Sequence, residues 1–112
     1  MLSKFFRLTK LDIARVFKKG RTYKGSNFTF RFFPNRTDHP RYSIIIPKTV
    51  LPHATDRNRL KRMISENLTK ISFKNNLDIT VQVKKLVEEK DIAAQLNDGF
   101  QKITVARWDG FH

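Results

Sequence analysis

The chain has 112 residues and no cysteine, a length suited to one domain with a single core and a composition that excludes disulfides and thiolate metal sites. Its 23 Lys and Arg against 10 Asp and Glu give a formal net charge of +13, which points to a polyanionic partner. No apolar run approaches the ~20 residues that span a bilayer, and the opening MLSKFFRLTK lacks a signal-peptide core, so the expectation is a soluble, cytoplasmic protein.

The charge is uneven. Residues 1–75 hold 18 basic and 4 acidic side chains, net +14, whereas residues 76–112 hold 5 and 6, net −1. The first two-thirds is expected to make the binding surface and the last third to act as scaffold.

Thr9 suits an N-cap with Asp12 three residues on, a weak capping box, and Gly20 suits the C′ position of the same helix. Within LTKLDIARVFKK, Ile13, Val16 and Phe17 share one face while Leu8 and Leu11 lie opposite, so one apolar surface should pack and the other either packs or lines a groove. RTYKGSN follows and reads as a loop or bulge around Gly25 and Ser26. In NFTFRFFPN, Phe28, Phe30 and Phe32 alternate with Thr29, Arg31 and Phe33, the period of a half-buried strand. The Phe28 row is the expected core face; on the other, an arginine beside an aromatic suits stacking on bases. RTDHP is a turn, and RYSIIIPK a mostly buried strand that ends at Pro47 or lies at a sheet edge, because proline cannot donate to a ladder.

The most informative stretch is Thr55 to Lys70, TDRNRLKRMISENLTK. Leu60, Met63, Ile64, Leu68 and Ile71 recur at helical spacing on one side, with Asn58, Arg62 and Ser65 opposite, Arg57 and Lys61 on one edge and Arg59 on the other. Arg57, Arg59, Lys61 and Arg62 crowd the helix start, where unpaired N–H groups and the macrodipole are already positive, at a cost of a few tenths of a kcal/mol for each cation. A phosphate-bearing partner compensates for that placement, since it meets backbone donors, dipole and guanidinium forks together.

SFKNN closes this helix and opens LDITVQVKK, whose alternation of Leu77, Ile79, Val81 and Val83 with Asp78, Thr80, Gln82 and Lys84 is the cleanest strand signal in the chain. EEKD starts a last helix with Ile92, Leu96, Phe100 and Ile103 as its buried stripe; Gly99 within it costs up to ~1 kcal/mol relative to alanine. VARWDGFH has no readable pattern, and Trp108 and Phe111 cover the core or a partner, or fray. The order of helix, strands, helix, strand, helix makes a single α+β domain over residues 1–112, with helices on a small mixed sheet.

No catalytic constellation is visible. The glycines form no phosphate-cradling loop, and His39, His53 and His112 lack metal-ligand spacing. Glu88 and Glu89 read as first-turn helix charge rather than an acid–base pair. No catalytic residue and no protein-held metal are therefore expected.

Arg57-Asn58-Arg59-Leu60-Lys61-Arg62, with Ala54 three residues upstream and Lys48 at a strand exit, closely resembles the R-N-R-x-K-R signature of the bacterial ribonuclease P protein subunit. Arg7-Leu8, Val16-Phe17 and Gly20 resemble that family's opening helix, and Phe28 falls where its first long strand begins. The resemblance covers roughly residues 7 to 104. It departs from the family pattern at Pro47-Lys48-Thr49, where Ser-Lys-Lys is common, at Ile13, where many members have an aromatic, and at Arg31, which replaces an outward aromatic.

The resemblance implies a two-layer αβββαβα sandwich with a left-handed βαβ crossover. It implies a small basic protein that binds the ribonuclease P RNA and the 5′ leader of precursor tRNA, while that RNA cleaves with Mg²⁺ that it holds itself. Arg57, Asn58, Arg59, Lys61 and Arg62 would face the RNA subunit; Ile13, Phe17, Thr29, Arg31 and Lys48 would border a leader groove. The alternative is a ribosomal or ribosome-assembly protein using the same helix on rRNA. A helix-turn-helix regulator fits poorly, because the basic helix follows a strand exit rather than a helix and tight turn.

Overall fold

A computed structural model describes residues 7–35, 37, 39–70 and 77–106, the last three without their side chains. The expectations for Arg36, Asp38, Ile71, the SFKNN segment, Trp108 and Phe111 lie outside those residues. The elements run α1 (Lys10–Lys19), β1 (Arg21–Lys24), β2 (Phe28–Pro34), β3 (Arg41–Ile45), α2 (Ala54–Lys70), β4 (Leu77–Val83) and α3 (Glu89–Ala106), the αβββαβα order. The sheet order is β1-β2-β4-β3, with β2 antiparallel to both neighbours and β3 parallel to β4 across the α2 crossover.

Strand periodicity decides which side chains reach the core. Phe28, Phe30 and Phe32 of β2, Tyr42 and Ile44 of β3, and Leu77, Ile79, Val81 and Val83 of β4 share one face. Leu60, Ile64 and Leu68 of α2 cover it together with Ile92, Leu96, Phe100 and Ile103 of α3. Phe30 sits at the centre, edge-on to Phe28 and Phe100 with ring centroids 6.1 and 5.8 Å away.

Gly99 belongs to this packing. A Cβ there would lie 2.3 Å from the Phe30 ring, so the helix approaches the sheet only because that atom is missing. Gly99→Ala should therefore lower stability by about 1–3 kcal/mol despite alanine's better helix propensity, as read by thermal melting. A higher melting temperature would show that Phe30 moves aside freely.

Three local expectations change. Residues 21–24 form an edge strand rather than part of a loop, paired from Arg21 opposite Phe32 to Lys24 opposite Thr29. Only Tyr23 of the four packs inward, against Phe30, so the segment carries no apolar alternation to reveal it. Gly20 is the C-cap residue rather than C′ and is extended, with φ −79° and ψ 168°; glycine is needed because a Cβ would meet the Val16 and Phe32 carbonyl oxygens at 2.4 and 2.7 Å. Ser65, expected opposite the core side of α2, is buried instead.

The second face of the sheet is not left to solvent. Helix α1 crosses it, burying Val16 and covering Asp78 and Thr80, the polar row of β4. Leu11 on its outer side is 79% exposed, so the surface expected from Leu8 and Leu11 does not form a packed face.

Candidate nucleic-acid interface

Helix α2 begins after His53, which lacks the short hydroxyl or carboxylate that commonly accepts from first-turn amides. The N-terminal turns carry Arg57, Asn58, Arg59, Lys61 and Arg62. The first of these differs from the rest: Arg57 is half-buried, and its Nη1 donates to the carbonyls of Leu51 and Pro52 at 2.8 and 2.7 Å, tying down the loop after β3. Asn58, Arg59, Lys61 and Arg62 are exposed, and no ion pair to a carboxylate engages any of the three cations among the described residues. Three exposed cations, without carboxylate partners among the described residues, thus stand together on the second and third turns of α2.

The other half of the surface is built on α1. Its start is held by a full capping box: the Asp12 amide donates to the Thr9 hydroxyl at 3.2 Å, and the Thr9 amide and hydroxyl donate to the Asp12 carboxylate at 3.2 and 2.7 Å. The same carboxylate lies 3.3 Å from Arg41 Nη1 of β3. Arg41 in turn grips the buried Asp78 of β4 with two parallel bonds of 2.9 and 2.8 Å, and Asn35 donates to that carboxylate at 2.9 Å. Burial alone would raise the Asp12 pKa. The two bonds from Thr9 and the charges of Arg41 and Arg15 outweigh it and hold the group below the usual carboxylate value.

With α1 pinned in this way, Phe17 lies beside the sheet, 44% exposed, with the Arg31 guanidinium 4.4 Å from its ring centroid. Arg31 Nη1 also donates to Gln82 Oε1 of β4, which ties the guanidinium to the sheet beside the ring. Of the groove residues expected from the sequence, Phe17 and Arg31 are brought together. Thr29 is 5% exposed and serves as floor rather than border. Lys48 stands exposed in the turn after β3. Ile13 lines a separate recess of about 230 Å³ with Arg7, Leu8, Tyr42, Ser43, Ile44, Lys61 and Ser65, which links the α1 side of the surface to the α2 side.

Gln82 and Arg41 were not singled out from the sequence. Asp78 was the available signal: a carboxylate beginning a strand of otherwise apolar and neutral residues requires a cation if it is buried.

The family model for Ribonuclease P matches residues 2–104. The chain is similar to the ribonuclease P protein component of Nitrosococcus oceani, 33% identical over 67 residues that make up 56% of each chain. It is 30% identical to that of Aliivibrio fischeri over 107 residues, 90% of this chain and 83% of the relative. Its fold matches the RNase P protein from Thermotoga maritima with a TM-score of 0.78 and 25% identity, over 87% of this chain and 96% of the other.

Proposed function

Because the chain belongs to the ribonuclease P protein family, we propose that it binds the catalytic RNA of ribonuclease P and the 5′ leader of precursor tRNA, and so assists removal of the leader. The carrying observation is the exposed group Arg59, Lys61 and Arg62 on α2, without carboxylate partners among the described residues. In this reading Asn58 joins these three against the phosphates of the RNA subunit, and Arg57 contributes mainly by fixing the loop that leads into them.

The leader runs along the α1 flank of the sheet. Phe17 with Arg31 stacked on it forms a platform for one unpaired base, and Gln82 keeps it rigid. Ile13 and Lys48 border the platform at a distance, Lys48 as a phosphate contact. An arginine where relatives commonly carry an aromatic keeps the planar surface and adds charge.

Bond cleavage belongs to the RNA. The described residues do not fit a protein-held Mg²⁺: no three His, Cys, Asp or Glu side chains gather, and Arg41 engages both carboxylates of the α1 and β4 cluster. Magnesium is assigned to the RNA phosphates, and the complex to the cytoplasm. The family match does not favour the ribosome-assembly alternative.

Cleavage of precursor tRNA by the RNA subunit at low Mg²⁺ tests the proposal. The protein should be inert alone and should accelerate the RNA reaction; an unaffected RNA rate would overturn the reading. Phe17→Ala should weaken binding of substrates with long leaders by roughly tenfold, the scale of one lost base stack, while sparing leaderless tRNA. A large loss of melting temperature instead would assign Phe17 to the core.

A further inference from the structure

Helix α1 divides the second face of the sheet into two parts, and the platform of Phe17 and Arg31 occupies only one. On the opposite flank of the helix lies a cleft of about 540 Å³. Arg15 and Lys19, one turn apart on α1, stand at its rim; Phe33, Pro34 and Asn35 from the end of β2, with Thr37, form its wall, and Arg41 and Asp78 its floor. We propose that this cleft holds one unpaired nucleotide of an RNA chain, its phosphate against Arg15 and Lys19 and its base against Phe33 and Pro34. The proposal rests on the reading of the chain as an RNA-binding protein and adds a second, separate contact to it.

Charge points to an anion. Asp78 is neutralised by the paired bonds of Arg41, so an incoming ligand meets the two cations of α1. Arg15 is 52% exposed and its link to Asp12 is long, 3.6 Å, a contact of the kind worth little in water and easily exchanged for a phosphate. Lys19 is exposed and has no carboxylate partner among the described residues.

The wall specifies how the remainder of the ligand is held. Asn35 donates to the His39 carbonyl and to Asp78, and its oxygen accepts from the Thr37 amide and hydroxyl at 3.1 and 3.0 Å. The Thr37 hydroxyl also lies 2.7 Å from the His39 carbonyl. These polar groups already have partners, which leaves little to read the edge of a base. The ring of Phe33 and the flat face of Pro34 supply apolar contact that accepts any base, so the cleft should bind without sequence preference. Its volume lies within the roughly 300–1,000 Å³ range of small-ligand sites.

Two measurements on the full chain test this. In the first, backbone amide resonances are followed during titration with adenosine 5′-monophosphate, inorganic phosphate and adenosine. The monophosphate should shift Arg15, Lys19, Phe33, Asn35, Thr37 and Arg41 saturably, and R15A/K19A should weaken that response at least tenfold. Shifts confined to Phe17 and Arg31 or to α2, or an equal response to inorganic phosphate, would overturn the nucleotide site. In the second, R15A/K19A in complex with the RNA subunit should flatten the log–log dependence of affinity on salt by roughly 0.7 to 0.9, one phosphate contact's worth. An unchanged slope would overturn RNA as the source of the nucleotide. A failure of the wild-type protein to accelerate RNA cleavage would instead strike the proposed function, because the titration reads the chain alone.

Discussion

Replacing Arg59 and Arg62 together by alanine should weaken binding to the RNA subunit by about a hundredfold or more near physiological salt, since each lost charge-assisted phosphate contact is worth roughly 1.5–3 kcal/mol. The log–log salt slope should flatten by roughly 1.4 to 1.8 at the same time. Stability should not change. Both side chains are exposed and lack carboxylate partners among the described residues, so the melting temperature should hold. Arg57→Ala makes the contrast: removing its bonds to the Leu51 and Pro52 carbonyls should lower the melting temperature as well as affinity. Equal affinity and slope in the Arg59 and Arg62 variant would remove the start of α2 from the interface.

The largest stability effect is expected at Arg41. Arg41→Ala leaves the Asp78 carboxylate buried without a counter-ion, a change that costs about 3–5 kcal/mol. At roughly 4 °C per kcal/mol for a domain of this size, the melting temperature should fall by about 12–20 °C. Combining Arg41→Met with Asp78→Asn should recover much of the loss, because the charge then leaves with its partner. A drop of under about 1 kcal/mol in the single variant would show that water reaches Asp78 and that the pair does not hold the sheet face together.

The same residue couples stability to acid. The Asp12 carboxyl lies below its ordinary value when folded, so its contribution is complete above about pH 4 and fades as pH falls through the folded value. Loss of Arg41 removes one of the charges that hold it there, and with it the link from α1 to β3. Phe17 is carried by that helix. Loosening Arg41 should therefore displace Phe17 from Arg31 even where the domain still folds.

Much of the fold was legible because its signals are local. Alternating Phe28, Phe30 and Phe32, the Leu77 row, the helical stripes of Leu60, Ile64 and Leu68 and of Ile92, Leu96, Phe100 and Ile103, and the Thr9–Asp12 box all depend on neighbours within a few residues. The cluster of basic residues on α2 was legible for the same reason. Strand β1 was missed because its one packed residue, Tyr23, depends on Phe30 across the sheet, and Gly20 was assigned to a backbone state when its real constraint is the approach of the Phe32 carbonyl.

From its residues alone, the chain determined a basic α+β protein that concentrates positive charge on one amphipathic helix, since charge count and apolar period are properties of short segments. Tertiary structure decided that Arg31 lies on Phe17, that Arg41 joins Asp12 to Asp78, and that α1 leaves a cleft on the flank that carries Arg15 and Lys19. Those contacts join positions far apart in the chain. They exist only once the sheet order β1-β2-β4-β3 places β2 and β3 on either side of β4 and α1 closes over the polar face they share.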